Sequence, residues 1–375
     1  AAIVLTGSAT VFIGATAEDI PSLYAENPVS ATAPTASGNN AIAIGKANTA
    51  SGTNSSVLGA NSTASNSGAV ALGNSAIASG NSAFSFGDST ASGGNSIAMG
   101  SDAVASATDT IAIGKGATAA ATYSTAIGKN SGDSGSVTAT GNAAMALGGS
   151  YASGVDSFAA AISNNTSSYG ATGANSIAIG QLAKATGVES TAIGRANIAS
   201  GERGFAAGPY NATASGVDSV AIGYQAIARQ NYSTALGFSN DAAQIGSTVI
   251  GYNSGANATY AVGIGFAVTA NGSKGVALGD TTTVAATNGF AFGKQSYSNV
   301  LSKYAYAGGQ FSSVGDAQGG YFVLRSDTTT ATAEALTTNN SSADSGNQIL
   351  ALNNTAIFFS GTIIAREQAS AGTDV

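Results

Sequence analysis

The sequence contains no cysteine, no histidine and no tryptophan. Without cysteine and histidine the chain cannot form disulfides or Cys/His zinc sites, and it cannot use a histidine base. Charged residues make up 8% of the 375 residues, and the net charge of −7 without a basic cluster argues against nucleic acid as a partner. No run of about 20 apolar residues predicts a membrane-spanning helix. We therefore expect a non-enzymatic protein without cofactor, metal or membrane span.

What the chain does contain is a short repeat that runs from Gly38 to Gly309. Ile42-Ala43-Ile44-Gly45 is the first clear copy, and Ile177-Ala178-Ile179-Gly180 is another. The closing positions of the nineteen copies, mostly 14 residues apart, are Gly45, Gly59, Gly73, Gly87, Gly100, Gly114, Gly128, Gly148, Ala161, Gly180, Gly194, Gly208, Gly223, Gly237, Gly251, Gly265, Gly279, Gly293 and Ala307. A fixed period this short indicates a solenoid.

Each copy has the pattern of one coil built from two short strands. Large apolar residues alternate with alanine before the closing glycine, and a period of two is typical of a strand. The glycine permits a tight bend, and a weaker strand such as Thr49-Ala50 follows. The sequence therefore predicts an all-β fold, a parallel β-roll of about 19 fourteen-residue coils stacked about 4.8 Å apart.

The alternation also predicts two faces for each coil. We expect the large residues to lie inside the roll and the alanines, among them Ala112, Ala178 and Ala192, to meet another backbone. The expected interior residues are Ile42, Ile44, Ile111, Ile113, Phe290 and Phe292. Because so short a coil encloses little apolar volume, one chain should not be self-sufficient, and three parallel chains in a homotrimer are the simplest partner arrangement.

One motif carries a family resemblance. The run Asn-Ser-Ile-Ala-Ile-Gly at Asn175–Gly180, followed by Ala-x-Ala-x-Gly, resembles the head repeat of trimeric autotransporter adhesins. The resemblance covers the repeat region and implies a left-handed parallel β-roll assembled as a homotrimer.

The composition divides the chain into three segments: N-terminal strands and a connector at 1–37, the β-roll rod at 38–310, and a C-terminal β module at 311–375 that we expect to be truncated. The strands expected outside the rod are Ala1–Leu5, Thr10–Gly14, Tyr321–Arg325, Ala331–Leu336, Gln348–Leu352 and Ala356–Arg366. Insertions at Lys129–Ala143 and Ile162–Gly173 are polar surface loops, either merely tolerated or receptor-contacting.

The C-terminal segment carries a second resemblance. Gly315-Asp316-Ala317-Gln318, the run Tyr321–Arg325 and the run Gly361–Arg366 resemble the C-terminal region of structural and tail-fibre proteins of marine phages, cyanophages among them. This resemblance implies a virion location, other virion proteins as partners, and a host cell-surface glycan or receptor as the target.

Aromatic residues recur at coil spacing in two columns. Tyr224, Phe238, Tyr252 and Phe266 directly follow closing glycines, where earlier copies have Lys, Asn, Asp or Arg. A second column holds Tyr123, Tyr232 and Tyr260. Because an interior site would not accept unpaired charges, the first column should lie outside the coil. It could contact glycans or a receptor, or it could pack against a neighbouring chain; both alternatives stay open.

The favoured function is a structural tail fibre of a phage particle, a trimeric rod that presents a host-attachment surface. The alternatives are a bacterial trimeric surface adhesin and a self-assembling extracellular filament. An enzymatic tailspike is disfavoured because carboxylates are sparse and histidine is absent.

Overall fold

The computed structural model describes residues 32–129, 137–161, 168–328, 332–350 and 356–365. Within these ranges the chain is all-β, with 39 strands and no helix. The strands predicted at Ala1–Leu5 and Thr10–Gly14 and the central parts of both insertions lie outside the described residues.

The strands alternate between two parallel sheets along one roll. The short-strand sheet consists of β1 (Thr35–Ala36), β3 (Thr49–Ala50), β5 (Thr63–Ala64), β7 (Ile77–Ala78), β9 (Ser89–Ala91), β11 (Ala103–Ala105), β13 (Thr118–Ala119), β15 (Thr138–Ala139), β17 (Tyr151–Ala152), β19 (Gly170–Ala171), β21 (Lys184–Ala185), β23 (Ile198–Ala199), β25 (Thr213–Ala214), β27 (Ile227–Ala228), β29 (Asp241–Ala242), β31 (Gly255–Ala256), β33 (Thr269–Ala270), β35 (Thr283–Val284) and β37 (Tyr297–Ser298). The long-strand sheet consists of β2 (Ile42–Lys46), β4 (Ser56–Ala60), β6 (Val70–Asn74), β8 (Phe84–Phe86), β10 (Ile97–Met99), β12 (Ile111–Ile113), β14 (Thr125–Ile127), β16 (Met145–Gly148), β18 (Phe158–Ala161), β20 (Ile177–Ile179), β22 (Thr191–Ile193), β24 (Phe205–Ala207), β26 (Val220–Tyr224), β28 (Thr234–Phe238), β30 (Thr248–Tyr252), β32 (Val262–Phe266), β34 (Val276–Asp280), β36 (Phe290–Lys294), β38 (Tyr304–Gly308) and β39 (Gly319–Tyr321).

Each strand pairs with the equivalent strand of the next coil, so the repeat sets the register. Ile42 pairs with Ser56, and Gly45 pairs with Gly59, both 14 residues further on. The same holds in the short-strand sheet, where Thr49 pairs with Thr63. The predicted solenoid of about 19 parallel coils is confirmed.

The predicted assignment of the two strand faces is wrong. The alanines lie inside: Ala43, Ala112 and Ala291 are fully buried. The large residues point outward, and Ile42 is 46% exposed in the single chain. The set expected inside is therefore outside: Ile42, Ile44, Ile111, Ile113, Phe290 and Phe292.

The interior is too narrow for larger side chains, which explains the reversal. The largest apolar side chains that are fully buried are valines, and glycines adjoin two of them. A Cβ placed on Gly275 would lie 2.7 Å from Val284 Cγ1, and one on Gly263 would lie 3.4 Å from Val268 Cγ2. Close packing at this density leaves room for alanine, serine and a few valines.

The closing glycines are required by contact between coils. A Cβ on Gly265 would lie 1.8 Å from the carbonyl oxygen of Gly279, and the φ of Gly265 is +138°. Two closing positions hold alanine: Ala307, which closes the last coil, and Ala161, which precedes the second insertion.

Buried asparagines join successive coils at the turn after the closing glycine. Asn240 donates from Nδ2 to the carbonyl oxygens of Leu236 (2.6 Å) and Gly251 (2.8 Å), and its Oδ1 accepts from the Ser254 N–H (3.0 Å). Ala226 occupies the same position one coil earlier. The asparagine therefore strengthens a turn that alanine also permits.

The C-terminal segment forms fewer strands than the sequence predicts. β39 pairs antiparallel with β38, and a single bridge joins Arg325 to Thr337. The predicted strands at Ala331–Leu336, Gln348–Leu352 and Ala356–Arg366 are absent where these residues are described. Phe358 is 94% exposed, so it takes no part in a core within the single chain.

Candidate functional site

The outer face of the long-strand sheet is a continuous apolar band. It is made by the residues one and three places before each closing position, and most of them are large and apolar. Leu58 is 52% exposed and Phe86 is 50% exposed. The partly exposed members include Ile127, Met145, Ile177, Ile179, Ile193, Ile222, Ile250, Ile264, Tyr304 and Tyr306. Contiguous apolar surface along a whole rod marks an interaction surface.

The band follows from the narrow interior. Period-two alternation sends the large residues to the face opposite alanine, and no other segment of the described chain covers them. The outer face of the short-strand sheet differs, since Thr49, Thr63, Thr90, Thr118 and Thr138 recur there. The two faces of the roll are therefore chemically distinct.

An aromatic ladder borders the apolar band at the end of the long strands. Tyr224, Phe238, Tyr252 and Phe266 are paired in register across neighbouring coils. Successive ring centroids are 4.9, 4.8 and 5.2 Å apart, with interplanar angles of 7°, 8° and 5°. All four side chains are at least 36% exposed in the single chain. The predicted alignment at coil spacing is present, whereas binding by these residues stays a prediction.

Tyr210 extends the ladder by one ring that sequence reasoning missed. Its ring centroid lies 5.7 Å from that of Tyr224, and the Arg195 guanidinium carbon lies 5.4 Å from the Tyr210 centroid. The interval from Gly208 to Gly223 is 15 residues, so the extra residue Pro209 shifts Tyr210 one place along the sequence. The 15-residue interval in place of 14 was the signal in the sequence from which Tyr210 could have been assigned to the ladder.

The geometry of the ladder limits what it can bind. Parallel rings with centroids about 5 Å apart cover one another's faces, and no sugar ring fits between them. Arg195 covers the outer face of Tyr210. The ladder therefore presents mainly ring edges along its length. This arrangement suits packing against protein better than stacking on glycans.

The second aromatic column lies at the other end of the long strands. Tyr123, Tyr232 and Tyr260 are 61%, 61% and 55% exposed, and all three have positive φ. Tyrosine in this region is uncommon because its Cβ is crowded. The Tyr260 ring lies over Gly246, where a Cβ would be 2.4 Å from Tyr260 Cδ1.

The charged residues on the outside form local ion pairs. Arg203 pairs with Glu202 and forms two hydrogen bonds with Asp218, and the guanidinium lowers the pKa of the Asp218 carboxyl. Arg229 pairs with Asp241 at 2.8 Å. Within the described ranges no three potential metal-ligating side chains cluster. Asp102 donates its backbone N–H to the Asp88 carbonyl oxygen (2.6 Å), so these two acidic residues lie in adjacent coils.

Lys303 is the one lysine that the described residues bury. Burial lowers its pKa to about 8. Its Nζ donates to the Tyr297 carbonyl oxygen and to Asn299 Oδ1, both at 3.1 Å, and lies 5.9 Å from the Phe322 ring centroid. It stands where earlier coils have serine or another small residue, so its stem closes the end of the roll.

Comparison with known protein families matches the YadA head domain repeat to the coils described above. The matched segments are 36–62, 64–90, 91–117, 105–131, 171–195, 185–211, 214–240 and 270–296, which together cover about half of the chain. The chain belongs to the YadA head-repeat family. YadA head repeats typically form homotrimers, and they are structural elements of extracellular surface proteins.

No curated protein matches the chain significantly. In the part of the chain that is described, no helix has the length and apolar character to cross a membrane.

Proposed function

We propose that this chain is a subunit of a non-enzymatic, parallel homotrimeric rod. The observation that carries the proposal is the apolar band, which runs the length of the YadA head repeats opposite an interior that holds only small side chains. Three long-strand sheets facing a common axis would bury all three bands.

The energetics favour assembly. Covering the remaining exposed half of one large apolar side chain contributes on the order of 1 kcal/mol. Most of the nineteen coils offer two large apolar side chains, of which most are partly rather than half exposed. Their sum exceeds the roughly 4–15 kcal/mol that association costs in lost rigid-body freedom.

Two substitutions in one coil test which sheet faces the axis. Ile264→Glu places a charge in the apolar band, and Thr269→Glu places one on the short-strand sheet of the same coil. We expect sedimentation analysis to show Ile264→Glu dissociated or weakened and Thr269→Glu trimeric. The opposite ranking would contradict the proposed arrangement.

We further propose that the rod belongs to a phage tail fibre that attaches to a host cell surface. This assignment is supported by the resemblance of Gly315–Arg325 and Gly361–Arg366 to phage proteins, while the repeats themselves fit a bacterial surface adhesin equally well. Peptide mass spectrometry of purified virions and of washed cell envelopes from the source would distinguish the two. Recovery from envelopes alone would eliminate the phage assignment.

For the aromatic ladder, packing against a second copy is better supported than contact with a glycan or receptor, because the ring faces are already covered. Replacing Tyr224, Phe238, Tyr252 and Phe266 by serine should weaken the trimer. If the trimer were unaffected and binding to host cells were lost, the ladder would instead be an attachment site.

A further inference from the structure

Two columns of residues mark the two ends of each long strand. The upstream corner is the residue five places before the closing position. The downstream corner is the residue directly after the closing position. In the last complete coils these are Lys274 and Asp280, or Asn288 and Lys294. Both corners flank the outer face that carries the apolar band.

The two corners of one coil are chemically matched. In every described coil where both are charged, the charges are opposite. These coils carry Asp109 with Lys115, Glu189 with Arg195, and Lys274 with Asp280. In the third pair the base lies at the upstream corner and the acid at the downstream corner. A general preference for acids at upstream corners and bases at downstream corners therefore does not explain the matching.

Most aromatic corners are matched as well. The coils concerned carry Tyr232 with Phe238, Tyr260 with Phe266, and Tyr123 with Lys129. Arg203 is matched with Tyr210, which the inserted Pro209 displaces by one place, and Asp218 with Tyr224 is the exception. Aromatic rings attract other rings and cations, so these combinations are favourable contacts too. In the intervening coil Gly246 lies at the upstream corner, where the Tyr260 ring of the next coil covers it, and Tyr252 lies at the downstream corner.

The matching cannot serve contacts within one chain. The upstream corner lies in the turn before the long strand and the downstream corner lies at or beyond its end, so six residues separate the two by up to about 20 Å. Among the described residues no ion pair joins the two members of any charged pair. Their intrachain contacts run along the columns instead: Asn95 Nδ2 donates to Asp109 (3.0 Å), and Lys294 lies 3.9 Å from Asp280.

We propose that, in the homotrimer, each upstream corner lies against the downstream corner of the same coil in the neighbouring protomer. This inference rests on the trimer proposed above. A three-fold arrangement joins two different patches of one surface, so the left edge of one sheet meets the right edge of the next. Three sheets about 20 Å wide would then enclose an axis about 6 Å from each sheet, a gap that Ile, Leu and Val side chains fill.

The matching gives the assembly its axial register. Nineteen similar coils could slide past one another by one coil with little change in the apolar band, as any repetitive strand surface can. A slip of one coil in one direction brings Lys274 against Lys294. A slip in the other direction brings Arg203 against Arg195. Attraction in register combined with repulsion out of register specifies one alignment, as charged flanking positions do in coiled coils.

A charge-reversal cycle at one coil tests this pairing in the full-length chain. Glu189→Arg alone and Arg195→Glu alone each create three like-charge boundaries per trimer, and the double variant restores opposite charges. We expect each single variant to lower the urea midpoint of trimer dissociation at low salt, and the double variant to recover most of the loss. Because about 20 Å separates the two positions within one chain, such coupling has to arise between chains.

Cysteine pairs give an independent readout, since the sequence has no cysteine of its own. Glu189→Cys with Arg195→Cys should yield disulfide-linked trimers on oxidation, while Glu189→Cys with Gln181→Cys, offset by one coil, should yield far fewer. Two results in a protein that is still trimeric would overturn the corner pairing alone. The charge reversals would lower the urea midpoint additively, and the offset cysteine pair would cross-link as well as the same-coil pair or better. A monomeric wild-type protein would overturn the proposed function as well.

Discussion

Gly265→Ala should destabilise the rod strongly because it forces two coils apart. The new Cβ would lie 1.8 Å from the Gly279 carbonyl oxygen, and the φ of +138° disfavours any residue with a Cβ. The backbone conformation alone costs about 1–3 kcal/mol. Relieving the contact requires a shift of more than about 1 Å, which weakens ladder hydrogen bonds worth about 0.5–1.5 kcal/mol each. We expect a loss of about 3 kcal/mol or more.

Gly308→Ala is the matched control, because a Cβ at Gly308 has no atom within 4 Å. It should change stability by less than about 0.5 kcal/mol. Urea unfolding followed by circular dichroism, with both variants at one chain concentration, measures the difference. Equal midpoints for the two variants would refute the inter-coil contact as the reason for the glycine column.

Three further changes follow from the interior and the end of the roll. Ala112→Leu should abolish amide protection in its coil by overpacking the fully buried site, while Ile113→Leu on the outer face should not; equal hydrogen exchange would contradict this. Asn240→Ala should fold, since Ala226 fills the equivalent site, but lose about 2 kcal/mol with its three hydrogen bonds. Lys303 has a folded pKa lowered to about 8 from 10.5, so the unfolded chain binds more protons between these values and stability should rise with pH there. In Lys303→Met that rise should disappear from the unfolding midpoint measured across the range, and its persistence would exclude Lys303 as the cause.

The period of the repeat was sufficient to predict the coils, their parallel pairing and their register. It was insufficient to decide which face is inward. Alternation separates Ile42 and Ile44 from Ala43 without orienting them, and the usual preference for large residues inside points the wrong way. The interior volume decides, and it becomes visible only once both strands of a coil are placed. The same volume explains why Val284 is opposed by Gly275 and Gly289.

The remaining errors have separate causes. The apolar residues of Ala356–Arg366 predict a strand, but Ile363 and Ile364 are 87% and 88% exposed and lie in no strand. The aromatic ladder was predictable at four positions because they keep the repeat spacing. The fifth, Tyr210, was missed because the inserted Pro209 displaces it from that spacing. The matching of the two corners is readable in the sequence only after the structure shows that both flank one outer face.

The mass of the full-length chain in solution tests the central claim most directly. Sedimentation equilibrium at micromolar chain concentration should give three times the chain mass of 35.9 kDa, with no detectable monomer. A stable, folded species at 35.9 kDa would show that the outward-facing Ile, Leu and Phe columns need no partner, and it would contradict the account.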